Sequence, residues 1–357
     1  MKTWARFALS RHVFDVHSRG DGNYGKTLPD AYTPELLRRV YSADGSYSGK
    51  GIRIAVISAF DNQNIKKDFE VFCRTFALPE TELSVYRLHD GTNSGTRGWL
   101  TESALDVQWA RVFAPDAQIS VVFSEDSQVE NLLAAAEFAR KELSADIICM
   151  CFGTDESAAD AKLSDFMKDG GIFVASSGDT GGKASFPSTS PCCLSVGGTN
   201  LTLSMSGGRI SETAWIGGGG GKSNIFEIPM YQGRFFNIYG MADGMRGTPD
   251  VSMMVNYNPG VPVYVSQLGG WTAVGGTSLA CACFAGICAC IKERHPEIVT
   301  SEDMLSFLYS KAGGDGYDFY QYNFHDITIG KSGENYAERG WDFATGLGSP
   351  IIRQLLL

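Results

Sequence analysis

The 357-residue chain carries a formal net charge of −10 and contains 43% hydrophobic, 11% aromatic and 20% charged residues. This composition indicates a globular protein long enough to bury a core, and it excludes the disordered and collagen-like classes. The acidic charge balance argues against nucleic acid and anionic membrane surfaces as partners, and no run reaches the roughly 18 apolar residues of a membrane span.

Residues 1–30 are polar and glycine-bearing and are predicted as an N-terminal extension, whereas residues 31–357 are predicted to form a single domain. The domain opens on a short helix at Thr33-Pro34, because proline suits a first helical turn. Short apolar runs with the character of buried strands then alternate with helical patterns. The runs are GIRIAVISAF, LSVYRL, AQISVVFS, ADIICMCFG, GGIFVASSG and CCLSVGGT, and the helical patterns include VENLLAAAEFARKEL and AKLSDFMKD. This alternation predicts an α/β fold with a doubly wound, mostly parallel sheet flanked by helices.

The chain becomes less regular after Gly217. A strand pair is predicted around VPVYVSQ and GGWTAVGG, followed by a long apolar helix from about Ser278 to Arg294. The last forty residues are predicted to be rich in loops.

Cysteine usage and the N-terminal sequence bear on the cellular location. The nine cysteines are an odd number, and several lie in apolar segments, where a reduced cysteine behaves as a small hydrophobic residue. The first 22 residues lack the apolar core of a secretory signal. We therefore expect a cytoplasmic protein, or a secreted one if the native precursor is longer.

The clearest local motif is VGGTSLACACFAG, which places Ser278 at the start of the long apolar helix. Backbone N–H groups at a helix N-terminus are free of intrahelical bonds, and the helix dipole favours negative charge there. The position suits an activated hydroxyl and an oxyanion. An ordinary serine N-cap is the alternative interpretation.

A second motif, WLTESALDVQWARVFAPDA, predicts a helix on which Glu102 and Asp106 share one face. The same face continues through Trp109 and Phe113, so burial is expected to raise the pKa of at least one carboxyl group. The two groups could share a proton. The alternative is a pair of acidic residues on a solvated helix face.

A third motif, GGIFVASSGDTGG, places Asp179 in a turn at the carboxyl end of a buried strand. Ligand sites of open α/β sheets lie at that edge. Aspartate is also a common turn former, and this remains the alternative.

Together these motifs resemble the sedolisin family of serine-carboxyl peptidases, which combine a subtilisin-like sheet with a Ser-Glu-Asp triad. The resemblance runs in order from about Tyr32 to Pro350. Besides the three motifs, it includes SFPSTSPCCLSVGGT, GGGGKSNIFEIPMYQ and the P-D-V-S element of Pro249 to Ser252.

The resemblance implies a peptidase that acts on peptide or protein substrates through an acyl-enzyme. It assigns Ser278 as nucleophile, Glu102 as the base and Asp106 as the residue that orients Glu102. Protonated Asp179 would stabilise the oxyanion together with the Ser278 N–H, and this implies activity in acid. We expect a monomer. A catalytically impaired peptide-binding relative is the alternative function.

The segment HDITIGKSGENYAERGWDFATGLGSP resembles the calcium loop of the same family. By this resemblance, one structural Ca²⁺ would be bound by the carboxylates of Asp326 and Asp342 and by the carbonyls of Ile327, Glu338 and Gly340. Such oxygen ligands are those that Ca²⁺ prefers.

The chain departs from the family pattern near the nucleophile, where Ala280 and Ala282 replace the usual serine and proline. The substrate-binding strand end, usually Ser-Trp-Gly, is Cys151-Phe152-Gly153, which is expected to alter the pocket. The first thirty residues are also too short for the pro-domain of relatives.

Three rival sites have weaker support in the sequence. A histidine-based subtilisin would make His89 the base, but Glu102 occupies the corresponding position. A phosphate-binding loop at GGGGGKS fails because Ile216 replaces its first glycine. A third possibility is a metal site on the helix with cysteines at 281, 283, 288 and 290, but these spread over more than one face and are predicted to pack in the core.

Overall fold

The computed structural model describes residues 6–7, 24–43, 45, 47–90, 95–234, 236–313 and 317–357. Its strands are β1 Arg6–Phe7, β2 Arg53–Ala59, β3 Ser84–Arg87, β4 Gln118–Ser124, β5 Ile147–Met150, β6 Phe152–Gly153, β7 Ile172–Ser176, β8 Leu194–Leu203, β9 Arg209–Ala214, β10 Gly221–Glu227, β11 Met245–Thr248, β12 Val251–Met254, β13 Val261–Val265, β14 Gly270–Val274, β15 Phe324–His325, β16 Lys331–Ser332, β17 Asn335–Tyr336 and β18 Ser349–Pro350. Its α-helices are α1 Pro34–Val40, α2 Ile65–Thr75, α3 Arg97–Phe113, α4 Val129–Lys141, α5 Asp160–Leu163, α6 Met230–Gly233, α7 Phe236–Met241, α8 Thr277–Arg294, α9 Ser301–Ala312, α10 Tyr317–Asn323 and α11 Ile352–Leu355.

The central sheet has the strand order β12-β8-β7-β5-β2-β4-β3, with β9 added to β8. The strands pair in parallel except at the antiparallel β8–β9 edge. Helices pack on both faces of the sheet, so its inner strands are buried on both sides. In β2 every residue after Arg53 is buried, as expected for a parallel strand covered by two layers. The predicted doubly wound, mostly parallel α/β class and the subtilisin-like topology are confirmed.

Helices α3 and α8 form the core of one helical layer and pack directly against each other. In α3 every residue from Gly98 to Phe113 is buried, and in α8 the buried stretch runs from Thr277 to Ile291. Their close packing requires Gly286, where a Cβ atom would lie 2.7 Å from the carbonyl oxygen of Ala110. This contact brings the predicted nucleophile and the predicted carboxylate pair into one region.

Several local predictions are confirmed. Helix α1 begins after Thr33, whose side chain accepts the N–H of Leu36, and Pro34 occupies its first turn. Strands β13 and β14 form the antiparallel pair predicted in the second half of the chain. The helical pattern AKLSDFMKD is also confirmed, in two pieces: α5 ends at Leu163 and a 3₁₀ helix covers Asp165–Asp169. The Ser164 hydroxyl, which donates to the Asp160 carbonyl at 2.9 Å, lies at the break.

A buried ion pair, which the sequence analysis missed, connects β11 and β12. The Arg246 guanidinium binds both carboxylate oxygens of Asp250, at 2.8 and 2.6 Å, and both side chains are fully buried. The Tyr309 hydroxyl and the Ser195 N–H also donate to Asp250. The aspartate of the P-D-V-S element therefore anchors the sheet next to α9.

One prediction about the chain as a whole, its division into an extension and a domain, is not tested by this fold. Residues 1–5 and 8–23 of the predicted extension lie outside the described residues, so the boundary between 1–30 and 31–357 stays a prediction. Among the described residues, no helix combines the length and apolarity that crossing a membrane requires.

Candidate active site

Ser278 lies in the first turn of α8, where the preceding turn requires glycine. Gly276 has a φ of +106°, which favours glycine, and a Cβ on Gly275 would lie 2.2 Å from the carbonyl oxygen of Asn256. First-turn N–H groups have no intrahelical acceptor, so the Ser278 N–H suits an oxyanion. The fold thus explains why two glycines precede Thr277 and Ser278.

Glu102 and Asp106 lie on one face of α3, as their spacing predicts, and are 1% and 0% exposed. Burial raises the pKa of Glu102 well above its ordinary value; the Ser278 hydroxyl opposes this rise and the charge of Asp179 adds to it. Burial also raises the pKa of Asp106, and the charge of Glu102 adds to that rise. The two carboxyl groups therefore retain a proton to higher pH than exposed ones do.

These groups are buried without well-formed hydrogen bonds to the described residues, although the Ser278 hydroxyl lies near enough to Glu102 to affect the pKa of that carboxyl group. Within the described part of the chain, no hydrogen bond reaches either carboxylate oxygen of Glu102, either of Asp106, or the Ser278 hydroxyl. Burying polar atoms in this way costs stability, roughly 1–3 kcal/mol for each unsatisfied group. A cluster that destabilises the fold is typical of a functional site.

Asp179 follows β7 and lies beside the start of α8. One carboxylate oxygen accepts the Thr277 N–H at 3.0 Å and the Thr277 hydroxyl at 2.6 Å, and the other accepts the Tyr257 hydroxyl at 3.2 Å. The sequence analysis missed Thr277 and Tyr257. The position of Thr277 directly before Ser278 was a usable signal, whereas Tyr257 has no local signal.

The glycine run before β10 holds the turn that carries Asp179. A Cβ on Gly219 would lie 1.9 Å from the Ser177 carbonyl oxygen, and the Gly219 N–H donates to the Gly178 carbonyl at 2.6 Å. The run leads into a strand instead of a helix, which agrees with the rejection of a phosphate-binding loop.

The strand end Cys151-Phe152-Gly153 offers its backbone to an extended chain. Strand β6 pairs antiparallel with the chain's own Arg6–Phe7, in the register Arg6 to Gly153 and Phe7 to Phe152. An edge that accepts one extended segment can accept another by the same backbone pairing.

No described histidine donates to or accepts from the Ser278 hydroxyl. His89 contacts the Phe60 carbonyl at 3.2 Å, and His295 contacts Glu297. The alternative with a histidine base therefore gains no support from the geometry.

In the predicted calcium loop, backbone N–H groups of residues 338 and 340 contact the two aspartates. The Gly340 N–H lies 3.2 Å from both carboxylate oxygens of Asp326, and the Glu338 N–H donates to Asp342 at 2.8 Å. Ile327, beside Asp326, is buried.

Asp342 itself is fully buried, and burial raises its pKa to about 7. An ionised carboxylate in this place would be stabilised by a cation, since two carboxylates and backbone carbonyls of one loop match the ligands of Ca²⁺. The donor set fits the ion, and its binding stays a prediction.

Comparisons with known proteins agree with this arrangement. Residues 98–348 match the peptidase S8 family, described as the Subtilase family. Kumamolisin of Bacillus sp. (strain MN-32) is 28% identical over 98% of this chain and 68% of its own length. Tripeptidyl-peptidase 1 of Rattus norvegicus is 25% identical over 91% of this chain and 63% of its own length.

Among solved structures, a similar fold occurs in Pseudomonas sedolisin, a serine-carboxyl proteinase complexed with two molecules of pseudo-iodotyrostatin. The TM-score is 0.79 at 23% identity, and the match covers 92% of this chain and 98% of that one. The matched residues 98–348 include α3, the Asp179 turn and the start of α8. The chain therefore belongs to the Subtilase family of serine-type peptidases, and it is similar to kumamolisin, tripeptidyl-peptidase 1 and sedolisin.

Proposed function

We propose that the chain hydrolyses peptide bonds through an acyl-enzyme, with Ser278 as nucleophile and Glu102 and Asp106 in place of a catalytic histidine. The observation that carries the proposal is the joint burial of these three side chains with their oxygens free of protein hydrogen bonds. Raised pKa values favour a single proton shared by the buried pair, which leaves one carboxylate to accept the Ser278 proton while the other stays neutral.

In the first half-reaction the Ser278 oxygen attacks the scissile carbonyl carbon and gives its proton to Glu102. Collapse of the tetrahedral intermediate breaks the C–N bond, and Glu102 returns the proton to the leaving amine. Water then repeats the sequence on the ester and regenerates Ser278. Asp106 orients Glu102 and stabilises the shared proton.

The oxyanion would be bound by the Ser278 N–H and by Asp179. The contacts from Thr277 and Tyr257 hold the Asp179 carboxyl beside the start of α8. Only a protonated carboxyl can donate to an oxyanion, so activity is expected to decline once Asp179 ionises. This gives the proposed acid activity a specific cause.

The oxyanion assignment predicts opposite behaviour for two replacements of Asp179. Asp179→Ala is expected to lower kcat about 10²- to 10³-fold with little change in KM. In Asp179→Asn, the amide oxygen can keep the Thr277 contacts while the amide NH₂ takes the place of the other carboxylate oxygen, so a donor is present at every pH. Profiles of kcat against pH are expected to show activity extending toward neutral pH in this variant. An asparagine variant that loses activity at the same pH as the unmodified chain would contradict the assignment.

Calcium binding is part of the proposal. Asp326, Asp342 and the carbonyls of Ile327, Glu338 and Gly340 would hold the ion, which would supply positive charge next to the buried Asp342 and fix the loop.

Calcium is expected to raise the melting temperature by several degrees relative to a calcium chelator, because a ligand at 100 times its Kd stabilises a protein by about 2.7 kcal/mol. Differential scanning calorimetry of the unmodified chain and of Asp326→Asn measures this. The variant is expected to melt at the same temperature with and without calcium. Equal melting temperatures for the unmodified chain in calcium and in chelator would contradict the site.

A further inference from the structure

A cluster of three thiols lies directly behind the proposed active site. Cys149 and Cys151 are two residues apart at the end of β5, and Cys281 lies three residues beyond Ser278 on α8. The Cys149 sulfur is 3.6 Å from that of Cys151 and 3.9 Å from that of Cys281, and all three lie within 4.8 Å of one another. Each of the three cysteines is at most 1% exposed.

This spacing matches a tetrahedral thiolate site. A zinc–sulfur bond is about 2.3 Å long, so two sulfurs on one tetrahedral zinc lie about 3.8 Å apart. The observed separations of 3.6 and 3.9 Å lie on either side of this value. An ion could bind with small side-chain shifts.

The two carboxyl groups of the proposed active site lie next to one of the three thiols. Carboxylate oxygens of Glu102 and Asp106 lie within 4.8 Å of the Cys151 sulfur. Asp106 is fully buried, and neither of its oxygens accepts a hydrogen bond from the described chain. The three-thiol group and the carboxyl group share only Cys151, so the Asp106 side chain would have to turn toward Cys149 and Cys281 to complete the four ligands that zinc accepts.

We propose that Cys149, Cys151, Cys281 and Asp106 bind one thiophilic divalent cation of the Zn²⁺ class. Binding would release the thiol protons to solvent and leave no oxidised product. An ion bound to Asp106 would also occupy the carboxyl group that is proposed to orient Glu102, and would therefore inhibit peptide hydrolysis. The inhibition rests on the proposed function, whereas the binding does not.

The test is a titration of the full-length, reduced chain with Cd²⁺, which forms thiolate bonds with an ultraviolet charge-transfer band. We expect the band to saturate at one equivalent of Cd²⁺, with an intensity that matches three thiolates. Binding is expected to be slow, because the ion reaches the buried ligands only when the core opens transiently. Calcium is expected to give no band, since it prefers oxygen ligands. In Asp106→Asn the band is expected to persist with at least about tenfold weaker affinity.

Variants decide which cysteines are involved. Cys149→Ser and Cys281→Ser are each expected to weaken cadmium binding and to reduce the band. Cys288→Ala is the matched control, because Cys288 is equally buried on the same helix, about 10 Å further along. Circular dichroism melting shows whether each variant is folded.

The outcomes separate binding from catalysis. An unmodified chain without a cadmium band, or a band that folded Cys149→Ser and Cys281→Ser retain in full, would overturn the site. A band without any peptidase activity would leave the site standing and count against the proposed function alone. A band together with unchanged hydrolysis in cadmium would overturn the inhibition.

Discussion

Replacing Ser278 with alanine is expected to lower kcat/KM for peptide hydrolysis by about 10⁴- to 10⁶-fold, because the acyl-enzyme can no longer form. The free energy of unfolding should hardly change. The Ser278 hydroxyl is fully buried and makes no well-formed hydrogen bond with the described chain, so its removal breaks no protein hydrogen bond. Fluorogenic peptide hydrolysis from acid to neutral pH, together with thermal melting, measures both effects.

Ser252 provides a matched control within the same chain. Its side chain is also fully buried, and no protein partner for its hydroxyl is found in the described residues. Ser252→Ala should therefore match Ser278→Ala in stability and keep its activity. Equal activity losses in the two variants would indicate a packing effect and would contradict the assignment of Ser278 as nucleophile.

The second large effect is expected for Glu102→Gln, which should change activity and stability in opposite directions. Loss of the base is expected to lower kcat about 10²- to 10⁴-fold. The melting temperature at neutral pH should rise by about 2 °C or more, because a neutral amide replaces a carboxyl group whose ionisation burial opposes.

The sign of the pH dependence follows from the raised pKa values of Glu102 and Asp106. In the unfolded chain both groups ionise near their ordinary pKa, whereas the folded chain keeps a proton on the pair. Their contribution to stability is therefore complete below the ordinary carboxyl pKa and is lost as pH rises toward the raised values. Glu102→Gln should weaken this loss, and Glu102→Gln with Asp106→Asn should weaken it further.

Thermal melting at several pH values and steady-state kinetics measure the two effects together. The exposed Glu227 provides the control, since Glu227→Gln should alter neither activity nor the pH dependence of stability. A Glu102→Gln variant that is destabilised at neutral pH would contradict the interpretation of Glu102 as a costly, functional carboxyl.

Much of the fold could be predicted because its signals are local. The apolar runs of β2, β4 and β7 match strands that are buried on both faces. The four-residue spacing of Glu102 and Asp106 determines that they share a face of any helix they occupy. The placement of Asp179 after a strand likewise followed from one short segment.

Contacts between residues that are far apart in the sequence had no such local signal. Ser278 meets Glu102 because α3 and α8 pack closely at Gly286, and resemblance to a family was needed to predict that they act together. The cysteines of α8 were correctly predicted to lie in the core. However, the approach of Cys149 to Cys281, 132 residues apart, depends on how β5 lies against α8.

The central claim is that Ser278 is activated by carboxyl groups, and covalent labelling tests it most directly. The chain would be treated with a peptidyl fluorophosphonate in acid and digested, and the labelled residue mapped by mass spectrometry. We predict stoichiometric labelling of Ser278 in the unmodified chain and strongly slowed labelling in Glu102→Gln. Label on another residue, an unlabelled folded chain, or equally fast labelling in Glu102→Gln would contradict the account.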